Sequence, residues 1–215
     1  MKKFAVILAG CGVFDGAEIH EATLTLLAIK QNGAAYQCFA PDVEQMHVLN
    51  HLTGEEMPET RNVLIESARI ARGDIKALDE YNPDDFDALI IPGGFGVAKN
   101  LCDFAVKGAD CEILEDVEKA VVETVAKNIP LGALCISPVI IAKIFDEVEV
   151  TIGQDPGTAE AVNNMGAIHV LTGHGEVVVD AKRNIFTTPC YMLDADIVQI
   201  WEGASNIVSR MLSTM

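Results

Sequence analysis

Apolar residues occur along the chain in two patterns, and these patterns predict its secondary structure: short continuous runs and positions repeated at helical spacing. Apolar runs of strand length occur at four places: 4–9, 34–41, 86–92 and 129–135. Between them lie segments whose apolar residues recur at helical spacing: 17–33, 59–73 and 113–127. Strands that alternate with helices in this way predict parallel strands joined by helical crossovers.

The remaining predicted elements are shorter. Strands are predicted at 75–78, 148–153, 167–171, 176–180 and 184–189, and helices at 137–146, 157–165 and 192–213. The late strands are hairpin-like and could add an antiparallel edge to the sheet. We find no repeat, low-complexity tract or linker, and predict one α/β domain over 1–215: a doubly wound, mostly parallel sheet with helices on both faces.

The segment 42–58 does not fit this alternation. Its polarity is mixed, and it contains His47, His51 and Pro58. We interpret it as an inserted loop or short helix near the edge of the sheet, which could fold over a cleft.

Three predicted strand ends carry unusual turns, and these turns are the candidates for chemistry. They read LAGCGVFDGAEIHEA (8–22), LIIPGGFGVAKN (89–100) and LGALCISP (131–138). In open α/β sheets, ligands bind beyond the carboxyl ends of the strands. Neighbouring parallel strands would therefore bring the three turns together at one site.

Cys135 is the candidate nucleophile in the third turn. Small residues surround it, as a sharp strand-to-helix elbow requires, and Pro138 suits the first turn of the following helix. A helix N-terminus favours the thiolate form of a nearby cysteine. The alternative is an ordinary buried cysteine at the end of a strand.

The other two turns offer groups that could assist a thiol. Gly93 and Gly94 let the backbone approach a neighbouring atom closely, so the amides of Gly94 and Ile136 could hold an oxyanion; an ordinary Gly-Gly turn is the alternative. Glu18 begins a helix and could hydrogen-bond the thiol or relay a proton. Glu21, one turn further on, competes for that role, and a solvated helix cap is the alternative for both.

Charge and cysteine content narrow the functional classes. The formal net charge is -17, and such an acidic surface disfavours nucleic acid and anionic lipid as partners. The start, MKKFAVILAGCG, has an apolar run too short for a signal peptide and is interpreted as the first strand. We expect a cytoplasmic protein with no membrane association.

The six cysteines show no CxxC pair or zinc-like spacing, so we expect thiols and no metal.

These motifs together resemble a known family. The sequence is similar to the superfamily of PfpI proteases, Parkinsonism-associated deglycases and class I glutamine amidotransferases, and within it to the ElbB branch. The resemblance runs almost end to end and includes GCGVFDGAEIHEA, NHLTGE, ETRNVLIESARI, DALIIPGGFGVAKNL, LGALCISP and TTPCYML. It implies a flavodoxin-like fold, Cys135 as the elbow cysteine, Glu18 as its acidic neighbour, and an oxyanion site at Gly94 and Ile136.

The departures from the superfamily restrict the activity that is implied. PfpI proteases have histidine after the elbow cysteine, where this chain has Ile136, and the amidotransferase His-x-Glu is replaced by TTPCYM. Both activities need a base for the thiol and the amine leaving group. The resemblance implies instead a weak glyoxalase that needs neither glutathione nor metal. The hypothesis is that Cys135 and Glu18 convert a small aldehyde, glyoxal, to glycolate.

Two alternatives stay open. The chain could be a redox or carbonyl-stress responder or accessory module, with Cys11 or Cys190 resolving an oxidised Cys135. It could also be an enzyme acting on another metabolite, linked to isoprenoid biosynthesis by the name of the branch. The family commonly forms dimers, so we expect a homodimer. Cys11 and Gly93 are further candidates for the pocket.

Overall fold

A seven-stranded sheet forms the centre of the protein, for which a computed structural model describes all 215 residues. The strands of this sheet are β1 (Lys3–Ile7), β2 (Ala35–Ala40), β3 (Ile75–Ala77), β4 (Ala88–Ile91), β5 (Leu131–Leu134), β8 (Val178–Asp180) and β9 (Ile185–Thr188). Their spatial order is β3-β2-β1-β4-β5-β9-β8. All neighbours are parallel except β8, which runs antiparallel to β9 at the edge. The predicted doubly wound, mostly parallel sheet is confirmed.

Seven helices and a small second sheet complete the fold. The helices are α1 (Ile19–Gln31), α2 (Val63–Ala71), α3 (Phe104–Lys107), α4 (Glu115–Ala126), α5 (Pro138–Ile144), α6 (Pro156–Asn164) and α7 (Ile197–Leu212). The strands β6 (Glu149–Val150) and β7 (Ile168–His169) pair in parallel with each other. No helix combines the length and hydropathy needed to cross a lipid bilayer.

The central strands are buried on both faces. Every residue of β4, β5 and β9 is buried, and a continuous apolar core surrounds them. Because side chains of a strand point alternately to opposite faces, complete burial requires cover on both sides of the sheet. Helix α1 packs against α7, and α4 against α5.

Two predicted helices are shorter than their apolar pattern, because capping side chains determine where they begin. The pattern of 59–73 yields only α2, since Asn62 accepts a hydrogen bond from the Ile65 N–H and Arg72 ends the helix in a left-handed conformation. The pattern of 192–213 yields α7, which begins after Asp196 with a reciprocal capping box to Gln199.

The segment 42–58 is a loop rather than a short helix. It contains isolated antiparallel bridges, including one between Leu49 and Glu56. The Leu49 N–H donates to Asp15 Oδ2 at 2.7 Å, and the Met46 N–H donates to Asn100 Oδ1 at 3.0 Å. The loop is therefore attached to the turn after β1, and none of its residues lines the cavity at Cys135.

Candidate active site

The three glycine-containing turns meet at the carboxyl ends of β1, β4 and β5. The Glu18 N–H donates to the Gly93 carbonyl at 2.9 Å, and the Gly96 N–H donates to the Gly16 carbonyl at 2.9 Å. Ser137 Oγ donates to the Pro92 carbonyl at 2.8 Å, which joins the third turn to the second. The convergence predicted from the strand order is confirmed.

Cys135 occupies a sharp bend between β5 and α5. Its φ is +61°, in the left-handed region that residues with a side chain rarely adopt. The Cys135 N–H donates to the Thr188 carbonyl at 2.9 Å, which holds this backbone in place. The residue is 7% exposed and borders a cavity. Backbone strain of this kind, maintained by surrounding contacts, is found preferentially at functional sites.

The carboxyl group beside the Cys135 thiol belongs to Glu21. Glu21 is fully buried in the first turn of α1. Its Oε2 accepts from the Gly93 N–H at 3.0 Å and its Oε1 from the Tyr191 N–H at 3.1 Å. The Cys135 thiol lies beside the same carboxyl group: a Cβ built at Gly93 would come within 2.5 Å of Glu21 Oε2 and 2.9 Å of Cys135 Sγ.

Burial changes the acidity of both partners in this pair. Loss of water raises the pKa of Glu21 to about 8, and its hydrogen bonds offset only part of this effect. Burial, followed by the charge of Glu21, raises the pKa of the Cys135 thiol well above its ordinary value, although the nearby Gly94 N–H opposes the rise. The thiol is therefore protonated at neutral pH and needs a base to become a nucleophile.

Glu18 lies at the cavity wall rather than against the sulfur. It is the N-cap residue of α1, and its Oε2 accepts from the Glu21 N–H at 2.7 Å. This capping bond turns the Glu18 side chain back along its own helix. The structure therefore places Glu18 at the cavity, 8% exposed, and places the competing candidate Glu21 in contact with the thiol.

Two backbone amides at the cavity wall have no backbone acceptor. Neither the Gly94 nor the Ile136 N–H donates to a backbone oxygen, and both residues line the cavity. Gly93 is packed too closely for any side chain: a Cβ there would lie 2.3 Å from Cys135 Cβ and 2.5 Å from Glu21 Oε2. Such a Cβ cannot be accommodated without moving the pair.

The cavity next to Cys135 has a volume of about 410 Å³. Most of its wall is apolar, formed by residues of α3 and of the turns after β1, β4, β5 and β9. These residues include Val13, Phe95, Ala98, Phe104, Ile136 and Met192. The polar side chains are Glu18, Asp155, Thr158 and Tyr191, and no lysine or arginine lines the cavity.

The two cysteines considered as partners of Cys135 differ in position. Cys11 does not line the cavity; its thiol lies near Glu66 and Arg69, and its pKa is raised by burial and then by the Glu66 charge. The expectation that Cys11 and Gly93 belong to the pocket is therefore corrected, since Gly93 packs against Cys135 and Glu21 and does not line the cavity either. Cys190 is close enough for its charge to affect the Cys135 thiol, and its own pKa is raised by burial.

None of the histidines lines the cavity. His20 reaches it indirectly, because its Nδ1 is 2.8 Å from the Tyr191 hydroxyl oxygen. His51 is held beside Phe14, and the pKa of His169 is lowered by burial in β7. The sequence pattern did not indicate a role for Tyr191. The available signal was its position in TTPCYM, shortly after the end of β9, which lies next to β5.

No three His, Cys, Asp or Glu side chains come close enough together to hold a metal ion. A scan against protein-family models finds no match.

Individual proteins do match the chain over nearly its whole length. It is 45% identical to the "ES1 protein homolog, mitochondrial" of Rattus norvegicus over 98% of this chain and 83% of that protein. It is 44% identical to the human "Glutamine amidotransferase-like class 1 domain-containing protein 3, mitochondrial" over 98% of this chain and 82% of that protein. These names contradict the expected cytoplasmic location, which is corrected: both relatives are named as mitochondrial proteins.

Solved structures show the same relationship as these two proteins. A crystal structure of an isoprenoid biosynthesis protein with an amidotransferase-like domain from Ehrlichia chaffeensis has a TM-score of 0.92 and 36% identity, covering 99% of this chain and all of that one. Glyoxalase III of Candida albicans shares the fold, with a TM-score of 0.64 and 14% identity over 100% of this chain and 97% of that one. The chain thus belongs to the ES1 and ElbB-like family of class I glutamine amidotransferase-like proteins.

Proposed function

We propose that the protein is a glyoxalase-like enzyme that converts a small 2-oxoaldehyde to a 2-hydroxy acid through a covalent adduct on Cys135. One observation carries the proposal: a thiol in a strained bend borders a cavity and contacts a buried carboxyl group whose pKa is about 8. A general base works best when its pKa lies near the pH of the reaction. Glu21 meets this condition for the Cys135 proton.

In the first step the sulfur attacks the aldehyde carbon of glyoxal. The S–H proton passes to Glu21 as the S–C bond forms and the C=O π electrons move onto oxygen. The resulting oxyanion would accept from the Gly94 and Ile136 N–H groups, which donate to no backbone oxygen in the free protein. Protonation of this oxygen by Glu21 gives a hemithioacetal and restores the carboxylate.

In the second step a proton moves between the two carbons of the adduct. Glu18 lines the cavity and uses only its Oε2 in the helix cap, which leaves Oε1 as the proposed base. Removal of the proton from the sulfur-bearing carbon moves charge onto the adjacent carbonyl oxygen and gives an enediolate. Return of this proton to the adjacent carbon, with transfer of the hydroxyl proton of the sulfur-bearing carbon to the neighbouring oxygen, gives a glycolyl thioester. Water then hydrolyses the thioester to glycolate and frees the thiol. One carbon is oxidised and the other reduced, so no external oxidant is needed.

This reaction suits a site without an imidazole at the sulfur. Amide hydrolysis must protonate an amine leaving group, usually through a histidine, and no histidine lines the cavity. The glyoxal reaction expels no amine. The fold shared with Candida albicans glyoxalase III is compatible with this activity.

The proposal is tested by measuring glycolate formation from glyoxal with purified wild-type protein and Cys135→Ser. We expect the variant to lose turnover, because the serine hydroxyl is a much weaker nucleophile. Cys11→Ser is the matched control, since Cys11 also follows a central strand but does not line the cavity, and it should keep wild-type turnover. Equal glycolate formation by wild type and Cys135→Ser would refute the proposal.

A second proposal, a redox-responsive thiol, is supported by Cys190. Its thiol is buried and near enough for its charge to raise the pKa of the Cys135 thiol. If the protein is mainly a responder, mild peroxide should give a Cys135–Cys190 disulfide or a Cys135 sulfinic acid, detectable by mass spectrometry, in a protein with negligible glyoxal turnover. Unmodified cysteines after this treatment would exclude the responder.

A further inference from the structure

The cavity beside Cys135 is much larger than glyoxal. Its volume of about 410 Å³ lies within the range of roughly 300–1,000 Å³ typical of sites for larger organic ligands. Glyoxal is about the size of four water molecules, or roughly 120 Å³ at ~30 Å³ each. Glyoxal bound at the sulfur would therefore leave more than half of the cavity without a ligand atom.

The unfilled part of the cavity is apolar. Two phenyl rings, Phe95 and Phe104, and the side chains of Val13 and Met192 form much of the wall. Phe95 is 51% exposed, so much of its apolar surface is in contact with water. An apolar ligand that displaces water from such a surface is stabilised in its complex by the hydrophobic effect.

The charges at the cavity select against anions. Glu18 and Asp155 are its only charged lining residues, and both are acidic. The pKa of Asp155 is lowered by the hydroxyl and the N–H of Thr158, so this carboxylate stays ionised at neutral pH. The formal net charge of -17 adds a long-range field of the same sign.

From these observations, and resting on the proposed function, we infer that the substrates are uncharged 2-oxoaldehydes with a bulky apolar substituent on the keto carbon. The aldehyde carbon reaches Cys135, and an alkyl or aryl substituent packs between Phe95, Phe104 and Met192. Phenylglyoxal is such a compound. It would form mandelate by the steps given for glyoxal, with the proton returning to the carbon that bears the phenyl group.

The test compares kcat/KM for three compounds: glyoxal, phenylglyoxal and 4-carboxyphenylglyoxal. We expect phenylglyoxal to exceed glyoxal at least about 10-fold, the lower limit of what one additional apolar contact contributes to discrimination. The carboxylate analogue should fall at least about 10-fold below phenylglyoxal, and added salt should reduce that gap because it screens the charges.

Two phenylalanine substitutions on α3 test whether the substituent occupies this part of the cavity. Ala105 is exposed and lines the cavity, so Ala105→Phe should fill it without disturbing the core. We expect this variant to lower kcat/KM for phenylglyoxal at least about 10-fold more than for glyoxal. Val106→Phe is the matched control: Val106 is 72% exposed and does not line the cavity, and both substrates should be unaffected.

The outcomes separate this inference from the proposed function. Cys135-dependent turnover in which glyoxal equals or exceeds phenylglyoxal would overturn the inference and leave the glyoxalase proposal standing. An equal effect of Ala105→Phe on both substrates would also overturn the inference. Absence of Cys135-dependent turnover with all three compounds would overturn the proposed function itself.

Discussion

Replacement of Glu21 by glutamine should change how the stability of the protein depends on pH. Glu21 is fully buried, and its pKa is raised from an ordinary 4.5 to about 8. Between these values the unfolded chain has released the Glu21 proton and the folded protein still holds it. Stability falls as pH rises wherever the folded state binds more protons, so Glu21 destabilises the wild type progressively across this window.

The size of the effect follows from the pKa shift. One proton difference corresponds to about 1.4 kcal/mol per pH unit, and the shift from 4.5 to about 8 gives roughly 5 kcal/mol in total. This loss is complete as pH rises through about 8. Glutamine has no such dependence, but one of the N–H groups of Gly93 and Tyr191 loses its acceptor, at a constant cost of about 1–3 kcal/mol. Glu21→Gln should therefore be less stable than wild type near pH 5 and more stable above pH 8.

Urea unfolding of both proteins between pH 5 and 9, followed by the fluorescence of Trp201, the single tryptophan, measures this difference. Other titrating groups cancel when the two curves are subtracted. A carboxyl ¹³C titration of Glu21 in the folded wild type gives the same pKa independently. Stability curves that stay parallel between pH 5 and 8 would show that Glu21 does not hold its proton in this range.

Two further predictions concern activity. If ionised Glu21 is the base for Cys135, kcat/KM for Cys135-dependent turnover should rise with pH and level off above about 8. The Glu21→Gln variant should lose this rise. A wild-type profile that is flat from pH 6 to 9 would contradict the assignment of Glu21 as the base. Gly93→Ala should abolish turnover and lower the melting temperature, because its Cβ would lie 2.3 Å from Cys135 Cβ. Gly157→Ala, whose Cβ would meet only Asp155 Oδ2 at 3.6 Å, is the control and should keep both; equal activities of the two variants would show that the close packing at residue 93 is unimportant.

The sheet was predicted well from the sequence because buried strands and the helices between them each have a distinct apolar pattern. Strands buried on both faces appear as continuous apolar runs, and helices between them require parallel pairing. The convergence of three turns at Cys135 followed from this topology alone. Helix ends were less predictable: α2 and α7 begin directly after their N-cap residues, Asn62 and Asp196, although the apolar spacing extends further towards the N-terminus.

The choice between Glu18 and Glu21 depended on a detail that spacing does not contain. Both carboxylates lie in the first turn of the predicted helix, and either could point toward the strand ends. The N-cap hydrogen bond of Glu18 ties its Oε2 to the start of its own helix, while its side chain still borders the cavity. The N–H groups of Gly93 and Tyr191 then hold Glu21 from distant parts of the chain. Tyr191 was missed for the same reason, since its contact with Glu21 is formed only by the folded sheet.

Ionisation of Glu21 has opposite effects on the two properties: it favours deprotonation of the thiol and lowers the stability of the fold. The Cys135 thiol needs an ionised carboxylate to accept its proton, but an ionised Glu21 is costly in a site without a cation. Two backbone N–H groups offset enough of that cost to bring the pKa of Glu21 to about 8, whereas burial alone would raise it further. A cation near the pair would lower this pKa and ionise Glu21 at neutral pH, but it would also make the carboxylate a weaker base. Surroundings without a cation, together with the charge of Glu18, therefore keep Glu21 basic enough to deprotonate the thiol. The protein is destabilised in the same pH range in which this base is ionised.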